Sequence, residues 1–299
     1  MRKMLVYGHP ASQVLPLWNY FPVKAIMLNA FQIASTKKLY EKVKEVGLRK
    51  VFHIPEGVQI WLDSGGYQAL RRGVKLKVEN VIKWYNDMKP DYCIALDNPV
   101  APNDPKAEKK VKENIENAKK MYGEVNCELL PVYHPVKEEL LWEYYQGYSF
   151  SDIKAVGGLI PRILTQKNAS RKEGWEFLVR VREMESSWLH ALGLGSPTTY
   201  PKLMALGYQS ADTQTWRHKA AYGKIVLPGK GERHVSGKKI RFGRKKISEE
   251  EKVEAVRIAR KLGMSWGELV KDFKARAIFN AYVLHLVSST PSQFPHRMP

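Results

Sequence analysis

Short apolar runs alternate with longer amphipathic segments over most of the chain. The amphipathic segments show helical spacing, as in Val78, Val81, Ile82 and Tyr85, which fall on one face at intervals of three and four residues. The predicted helices are residues 36–45, 78–88, 104–122, 137–145, 172–184 and 199–206. The predicted strands are residues 4–7, 23–28, 59–62, 92–96, 129–133, 153–156, 189–192 and 208–211.

Strands that alternate with helices predict a parallel sheet and an α/β fold. Eight strands that alternate with helices over about 210 residues favour a (β/α)8 TIM barrel. A doubly wound open sheet stays as the alternative, because periodicity does not separate the two folds. We therefore predict a TIM-barrel catalytic core over residues 1–223.

Residues 224–246 break the alternation, with nine Lys or Arg and one acid, Glu232. Their alternating pattern predicts a basic hairpin or a flexible arm. Ser248 with Glu251, and Ser265 with Glu268, have the spacing of capping boxes, which open helices. We expect one helix to end near Gly263 and the other to run from Ser265 to residue 287. Residues 224–299 would thus be a basic arm and C-terminal helices that complete the barrel and grip nucleic acid.

Charge is the strongest signal in the composition. The 299 residues include 49 Lys or Arg against 30 Asp or Glu, a formal net charge of +19, and 44% are hydrophobic, enough for a large core. Such a basic globular protein is expected to meet a polyanion. Enrichment in Lys for solubility or heat tolerance is the alternative explanation.

Two cysteines, Cys93 and Cys127, lie in apolar runs and are too few for a four-thiolate zinc site. We expect both to be reduced core residues of a cytosolic protein. No apolar run approaches 18 residues, and Gly8-His9-Pro10 interrupts the first one, so neither a membrane span nor a signal peptide is predicted. The expected location is the cytoplasm.

Polar residues follow the predicted strands, and in a parallel barrel such positions meet at the C-terminal mouth. They are Asp63, Asp97, His134, Gly157-Gly158, Gly193-Leu194-Gly195 and Asp212. Each has a simpler explanation as a turn former, and His134 as a satisfied core histidine. Together they predict a site, because two carboxylates can divide nucleophilic attack and proton transfer, as in double displacement at a sugar anomeric carbon.

A competing interpretation uses the glycine-rich segment Gly193-Leu194-Gly195-Ser196-Pro197. Placed before a helix, it could cradle a phosphate, as the loops at this face of barrels often do. A sugar-phosphate enzyme therefore stays open at this point.

Taken in order, the motifs resemble those of the tRNA-guanine transglycosylase superfamily over residues 5–223. The matching segments are Asp63-Ser64-Gly65-Gly66-Tyr67-Gln68, Ala95-Leu96-Asp97, Val132-Tyr133-His134, Val156-Gly157-Gly158-Leu159, Leu192-Gly193-Leu194-Gly195-Ser196-Pro197 and Asp212. The resemblance implies that Asp212 is the nucleophile and Asp63 the general acid/base. The implied base-binding residues are Asp97, His134 (where the family has Gln), Gly157, Gly158, Tyr67, Ser64, Gln68, Leu192 and Gly193.

The chain departs from the tRNA enzymes after Asp212. It lacks their zinc-binding Cys-x-Cys-x-x-Cys and has Thr215-Trp216-Arg217-His218 in place of Leu-Pro-Thr-Arg. We also expect no separate RNA-binding domain. In this it looks more like the DNA-modifying DpdA-type branch of phages and bacterial islands. That likeness implies exchange of guanine in DNA for a 7-deazaguanine such as preQ0, without metal or cofactor, in the host cytoplasm if the protein is phage-encoded.

The expected partners are DNA, guanine and a 7-deazaguanine base, with tRNA as the alternative nucleic acid and a homodimer left open. The residues expected to hold phosphates are Lys224, Lys230, Arg233, Lys238, Lys239, Arg241, Arg244, Lys245 and Lys246. Two further alternatives are a zinc-free tRNA-guanine transglycosylase and a non-catalytic nucleic-acid-binding partner subunit. The presence of both Asp63 and Asp212 argues against the last of these.

Overall fold

Nine parallel strands form one sheet, which wraps into a barrel. The computed structural model describes residues 3–165, 169–236 and 245–289. The strands are β1 Met4–Gly8, β2 Ala25–Asn29, β3 Gln59–Asp63, β4 Tyr92–Ile94, β5 Glu128–Leu130, β6 Val132–Tyr133, β7 Ile153–Val156, β8 Trp188–Ala191 and β9 Ser210–Thr213. Their order in the sheet is β5-β4-β3-β2-β1-β9-β8-β7-β6. The predicted α/β barrel is confirmed.

The two ends of the sheet meet at Pro131, which separates β5 from β6. The carbonyl of Leu130 accepts from the amide of Ala95 at 2.9 Å, and the carbonyl of Pro131 accepts from the amide of Ala155 at 2.8 Å. Proline has no N–H for a ladder, so one continuous chain segment is divided into two short strands. The predicted fifth strand is therefore found in two pieces. The other seven predicted strands are each found at the expected place, with ends shifted by up to two residues, as in β4, which ends at Ile94 instead of residue 96.

Helices cover the outside of the barrel. They are α1 Ala30–Ala34, α2 Lys37–Phe52, α3 Gly66–Arg71, α4 Val78–Met88, α5 Ala107–Glu124, α6 Glu138–Gly147, α7 Ala169–Met184, α8 Tyr200–Ala205, α9 Thr215–Ala221, α10 Glu249–Lys261, α11 Trp266–Lys271 and α12 Phe273–Ser289. Helix α4 has the predicted bounds and buries Val81, Ile82 and Tyr85 on the predicted face. Within the parts of the chain that the structure describes, no helix is long and apolar enough to cross a bilayer.

The barrel interior is a separate, smaller apolar cluster. Side chains that alternate along the strands fill it, including Val6, Met27, Trp61 and Leu130, all buried. The rings of Trp61 and Tyr92 stack with their centroids 4.6 Å apart. This packed interior forms the floor beneath the polar residues at the mouth.

The C-terminal helices lie against the barrel through buried polar contacts. The side-chain amide of Asn280 donates to the carbonyls of Trp216 and Lys224, each at 3.1 Å, and its oxygen accepts from the amide of Val226 at 2.7 Å. Arg276 donates to the carbonyl of Ala220 at 3.0 Å. Helix α12 is therefore fixed to α9 and to the strand that follows it.

Both capping boxes predicted at Ser248 and Ser265 are confirmed. The single helix predicted from Ser265 to residue 287 is wrong, because Asp272 has extended backbone (φ −101°, ψ 130°) and separates α11 from α12. Its carboxylate accepts from the amides of Lys274 and Ala275 at 3.1 and 3.0 Å. An aspartate that caps the next helix thus explains the break.

The basic segment begins as the expected hairpin. Strand β10 (Lys224–Leu227) pairs antiparallel with β11 (Gly231–His234). Residues 237–244 lie outside the described residues, and so do four of the cations predicted to hold phosphates: Lys238, Lys239, Arg241 and Arg244.

The prediction of reduced cysteines is wrong: Cys93 and Cys127 form a disulfide. Cys93 is in β4, which pairs in parallel with β5, and Cys127 precedes β5 by one residue. Their Cα atoms are 6.2 Å apart, within the distance that a disulfide spans. Spacing along the sequence did not reveal this, because the two cysteines are 34 residues apart and the strand pairing brings them together.

Candidate active site

The carboxylates predicted at the strand ends are brought together at the mouth of the barrel. Asp63 is the last residue of β3, Asp212 is in β9, and Asp97 follows β4. The charges of Asp97 and Asp212 both raise the pKa of Asp63, so both carboxylates lie near Asp63.

Asp63 has an environment that suits proton transfer. Burial is the largest cause that raises its pKa, followed by the charges of Asp97 and Asp212, and the result is about 7. Hydrogen bonds from the backbone of Gly65 and from the amide of Asn29, whose Nδ2 lies 3.0 Å from Oδ2, oppose the rise. A carboxyl group that titrates near neutrality can both give and take a proton at working pH.

The Asp63-Ser64-Gly65-Gly66 turn requires glycine at Gly65. This residue has φ +79°, and a Cβ there would lie 2.5 Å from Oδ1 of Asn29 and from Cβ of Phe31. The chain can therefore leave β3 tightly enough to begin α3 beside the carboxylate only with glycine. Ser64 is fully buried, and its Oγ accepts from the amide of Gly66 at 3.3 Å.

Asp212 is held through one of its two carboxylate oxygens. Its Oδ1 accepts from the amide of Gly193 at 2.6 Å and lies 3.2 Å from Nε2 of His190. The side chain is 11% exposed. Both of these contacts involve Oδ1, which leaves Oδ2 as the oxygen that could react with a carbon at the mouth.

His190 is a site residue that the sequence interpretation missed. It is buried in β8, where Nδ1 lies 2.8 Å from Oγ of Ser210 and its ring packs 4.8 Å from that of Trp61. It precedes Leu192 by two residues, so it lies on the same inward face of the strand. The alternation of side chains between the two faces of a strand was the signal in the sequence that could have identified His190.

Asp97 and His134 form the other end of the site. Nε2 of His134 lies 2.7 Å from Oδ2 of Asp97, and their side chains are 2% and 19% exposed. The approach lacks the alignment of a hydrogen bond, and neither ring nitrogen of His134 has a hydrogen-bond partner among the described residues. The structure therefore does not match the alternative of a core histidine satisfied by its neighbours.

The glycines after β7 pack against this histidine. A Cβ at Gly158, whose φ is +73°, would lie 3.1 Å from Nδ1 of His134, and one at Gly157 would lie 3.0 Å from Val132. A Cβ at Gly157 would also be 3.3 Å from Leu192. The pair thus lets the backbone lie close to the end of the mouth that holds His134 and Asp97.

The predicted residues of α3 lie at the rim. Tyr67 is 57% exposed, so its ring is available to a flat ligand. Gln68 is half-buried, and its Oε1 has no hydrogen-bond partner among the residues described.

The glycine-rich segment after β8 serves Asp212. The amide of Gly193 donates to its side chain, and the amide of Gly195 donates to its backbone carbonyl at 2.8 Å. Both amides are therefore already engaged, which weakens the phosphate-cradle interpretation of this segment.

Three of the cations predicted to hold phosphates are paired within the protein. Lys224 is 5% exposed and donates to Glu232 at 2.7 Å, and Lys230 donates to Glu254 at 2.7 Å. Arg233 is 4% exposed and bonds both carboxylate oxygens of Glu251, at 2.8 and 2.6 Å. The Lys224 pair lies within the hairpin, and the Lys230 and Arg233 pairs tie the hairpin to α10.

The remaining described cations of the basic segment, Lys245 and Lys246, are exposed. A phosphate-binding role for any of these five residues stays a prediction, and the geometry favours only the exposed pair. In the described part of the chain, no group of three or more His, Cys, Asp or Glu residues could hold a metal ion.

The fold and the mouth define a class: a parallel α/β barrel with interacting carboxylates at the C-terminal ends of its strands. Sequence similarity narrows it. The chain is 24% identical over 230 residues to a tRNA-guanine(15) transglycosylase of Methanosphaera stadtmanae, which covers 74% of this chain and 33% of the relative. It is 27% identical over 229 residues to the same-named protein of Nanoarchaeum equitans, covering 74% and 54%.

A viral relative matches over more of its own length. Uncharacterized protein 306 of Sulfolobus islandicus rod-shaped virus 1 is 28% identical over 231 residues, covering 76% of this chain and 70% of the relative. No family model matches the chain. The chain spans about a third to a half of the length of the archaeal relatives it matches. These similarities support a place in the tRNA-guanine transglycosylase superfamily.

Proposed function

We propose that this protein is a guanine transglycosylase, a pentosyltransferase that replaces a guanine base in nucleic acid. The observation that carries the proposal is the arrangement of two carboxylates at one mouth. Asp212 is oriented by the amide of Gly193 and by His190, while Asp63 has a pKa of about 7. One group is suited to attack C1′ of the sugar and the other to move a proton.

The proposed reaction has two displacements. In the first, Oδ2 of Asp212 bonds to C1′ as the C1′–N9 bond breaks, and protonated Asp63 gives its proton to the leaving guanine. In the second, the ionised Asp63 takes the N9 proton of the incoming base, N9 attacks C1′, and Asp212 leaves as a carboxylate. Two inversions retain the configuration at C1′.

The base would be held by groups at the other end of the mouth. Asp97 can accept the N–H groups of a guanine edge, and His134 offers a buried ring whose nitrogens have no other described partner. The backbone of Gly157 and Gly158 lies beside that ring, and Tyr67 at the rim can stack on the base. Leu192 lines the same side.

We further propose DNA as the nucleic acid and a 7-deazaguanine such as preQ0 as the incoming base, as in the DpdA-type branch. The net charge of +19 and the absence from the sequence of the zinc-binding cysteine motif support this choice. So does a viral relative that matches over 70% of its own length. A zinc-free tRNA-guanine transglycosylase is the second candidate, favoured by the similarity to archaeal proteins of that name.

The test is base exchange with radiolabelled guanine. The full chain is incubated with label and with duplex DNA, single-stranded DNA or unmodified tRNA, and the label retained in each polymer is counted. Label in DNA supports the proposal, and label in tRNA alone supports the second candidate. Label in none of them, together with no covalent adduct on a denaturing gel, would favour a non-catalytic partner subunit.

A further inference from the structure

A second basic surface lies at the mouth of the barrel, between Asp63 and α4. It consists of residues 66–77, which form α3 and the loop after it, and we call it the basic ridge. Its four cations, Arg71, Arg72, Lys75 and Lys77, are all exposed, and no acid occurs between Asp63 and Glu79.

The basic ridge also exposes apolar side chains. Tyr67, Leu70 and Val74 are 57, 56 and 43% exposed and lie between the cations. Large apolar residues grouped in this way on a surface commonly mark a binding site. A ridge that interleaves cations with an aromatic and aliphatic side chains matches the surfaces that bind single-stranded nucleic acid, where cations hold phosphates and unstacked bases lie on apolar faces.

The cations of the ridge are not neutralised within the described structure. Among the described residues, no carboxylate is recorded in an ion pair with Arg71, Arg72 or Lys77, and the guanidinium carbon of Arg72 lies 5.7 Å from the centre of the Phe31 ring. Lys75 lines a small cavity together with Glu113 and Glu116. Like charges held this close repel one another, and a polyanion relieves the repulsion.

The ridge begins at the site itself. A Cβ on Gly66 would lie 3.3 Å from the carbonyl oxygen of Asp97, so the first turn of α3 borders the base-recognition end of the mouth. Leu70 and Val74 line the same cavity as Asp97. A strand that delivers its base to the mouth would therefore continue over the ridge.

We propose that the basic ridge binds the unpaired segment next to the target nucleotide, with phosphates on Arg71, Arg72 and Lys77 and a neighbouring base on Leu70. The position of the target rests on the proposed function, whereas strand binding by the ridge can be tested without it. A single strand fits better than a duplex, because the faces of paired bases are stacked and hidden from these side chains.

The test measures affinity against salt for labelled oligo(dT) of about ten nucleotides, a typical site size. The variant carries Arg71→Gln, Arg72→Gln and Lys77→Gln. The matched control, Lys50→Gln with Lys119→Gln and Arg180→Gln, removes three exposed charges from the outer helices α2, α5 and α7. We expect the ridge variant to flatten the log–log salt slope by about two units, and the control to change it little.

Three further arms decide what the ridge recognises. Leu70→Ser should weaken binding of oligo(dT) and leave binding of a blunt duplex unchanged, while a matched oligo(rU) shows whether the surface distinguishes DNA from RNA. Equal losses in the ridge and control variants, or equal binding of duplex and single strand by the wild type, would overturn the proposal. Strand binding by a protein that exchanges no base would refute the proposed function and leave the ridge proposal intact.

A different observation, the contacts of His190, carries a second inference. Ser210 and Asp212 lie on one side of β9, and His190 is the parallel partner of Ser210 on β8. Nδ1 of the ring lies 2.8 Å from Oγ of Ser210, and Nε2 lies 3.2 Å from Oδ1 of Asp212. A carboxylate oxygen accepts hydrogen bonds, so the geometry suits donation from Nε2 to Asp212, while the Ser210 hydroxyl can donate to or accept from Nδ1.

We infer that His190, oriented by Ser210, is a positioning residue for the nucleophile. With the amide of Gly193 it holds Oδ1 of Asp212, which fixes the plane of the carboxylate and aims Oδ2 at the mouth. Loss of such orientation commonly costs about a hundredfold in rate.

The test is the single-turnover rate at which the covalent adduct forms at saturating nucleic acid. His190→Leu should slow it by about a hundredfold without changing nucleic-acid affinity, and His190→Gln, which keeps an N–H donor, should recover part of the rate. Ser210→Ala should give a smaller loss and covers the case in which His190→Leu does not fold. A His190→Gln protein that melts like the wild type but reacts no faster than His190→Leu would show that the ring is only packing, as would an unchanged rate in His190→Leu.

Discussion

Two parts of the barrel each place one aspartate at the same mouth: strands β2 and β3, which we call the β2–β3 wall, carry Asp63, and strands β8 and β9, the β8–β9 wall, carry Asp212. The surroundings of the two carboxylates differ. On β3, burial and neighbouring charge raise the pKa of Asp63 to about 7, and one side-chain amide, from Asn29, opposes the rise. On β9, Asp212 has Oδ1 fixed between a backbone amide and His190. The environment of Asp63 suits gain and loss of a proton near neutral pH, whereas the environment of Asp212 fixes the orientation of its carboxylate.

The two walls also differ in how they are held. The disulfide joins β4 to the residue before β5, next to β3 and on the side of Asp97. The β8–β9 wall has no covalent tie in the described residues and relies on packing and on the His190 contacts. The division of labour that we propose for the two carboxylates would thus come from their surroundings, since the residue type is the same.

The largest effect should come from Asp212→Asn. The amide is no nucleophile, so we expect complete loss of base exchange and of the covalent adduct. The variant should fold normally, because the asparagine side chain has the same shape as aspartate and its oxygen can still accept from the amide of Gly193. The adduct is sought on a denaturing gel and the fold is checked by thermal melting. An adduct of normal yield in this variant would remove Asp212 from the nucleophile role.

Asp63→Asn tests the proposed role of the aspartate on the other wall. Loss of general acid/base catalysis typically costs 10²- to 10⁴-fold. We expect slow adduct formation, and slower release of the adduct by added guanine, so that the adduct accumulates where Asp212→Asn shows none. Single-turnover rates of the two half-reactions measure this. Equal behaviour of the two asparagine variants would mean that the two walls have no separate roles.

Reduction of the disulfide should lower the stability of the whole protein and weaken the Asp63 side more than the Asp212 side. Opening a loop of 34 residues between Cys93 and Cys127 should lower the free energy of unfolding by about 3–4 kcal/mol in the loop-entropy model. Denaturant unfolding with and without reductant measures it, and Cys93→Ala with Cys127→Ala is the control that reductant should not affect. Amide exchange should rise in β3, β4 and β5 more than in β8 and β9. If reductant leaves the free energy of unfolding of the wild-type protein unchanged, this prediction is wrong.

The barrel could be predicted from the sequence because its signals are local. Strand runs and the faces of helices such as α4 repeat within a few residues. The disulfide and the ion pairs of the hairpin cations could not be predicted from the sequence, because each depends on residues that are distant along the chain. Arg233 and Lys230 meet acids 18 and 24 residues further along, so a charge count could not tell paired cations from free ones.

The site was predicted where its residues follow strands, as with Asp63, Asp97 and Asp212. His190 was missed because it lies inside a strand, where one polar residue in an apolar run carries little signal. Its role depends on the pairing of β8 with β9, which places it beside Ser210. The break at Asp272 had a local signal, an aspartate that can cap a helix, which was not used.

The smallest effect should come from Asn29→Ser, which tests the pKa assignment directly. Asn29 donates to Asp63 and thereby lowers its pKa, while its own oxygen caps α1 by accepting from the amide of Gln32 at 2.9 Å. Serine keeps a capping oxygen but is too short to reach Asp63. The pKa of Asp63 should therefore rise further above about 7, by up to about one unit for a hydrogen bond worth about 1 kcal/mol.

The sign of the effect differs between the half-reactions. Adduct formation needs protonated Asp63, so its rate should fall as pH rises through about 7, and release by incoming base needs the ionised form, so its rate should increase over the same range. Asn29→Ser should move both midpoints to higher pH, speeding formation and slowing release at pH 8. Rates of each half-reaction from pH 5 to 9 measure the shift, and Gln32→Ala, which leaves the Asn29 donor in place, is the control. Midpoints that stay fixed, or move in opposite directions, would show that Asp63 does not carry the proton.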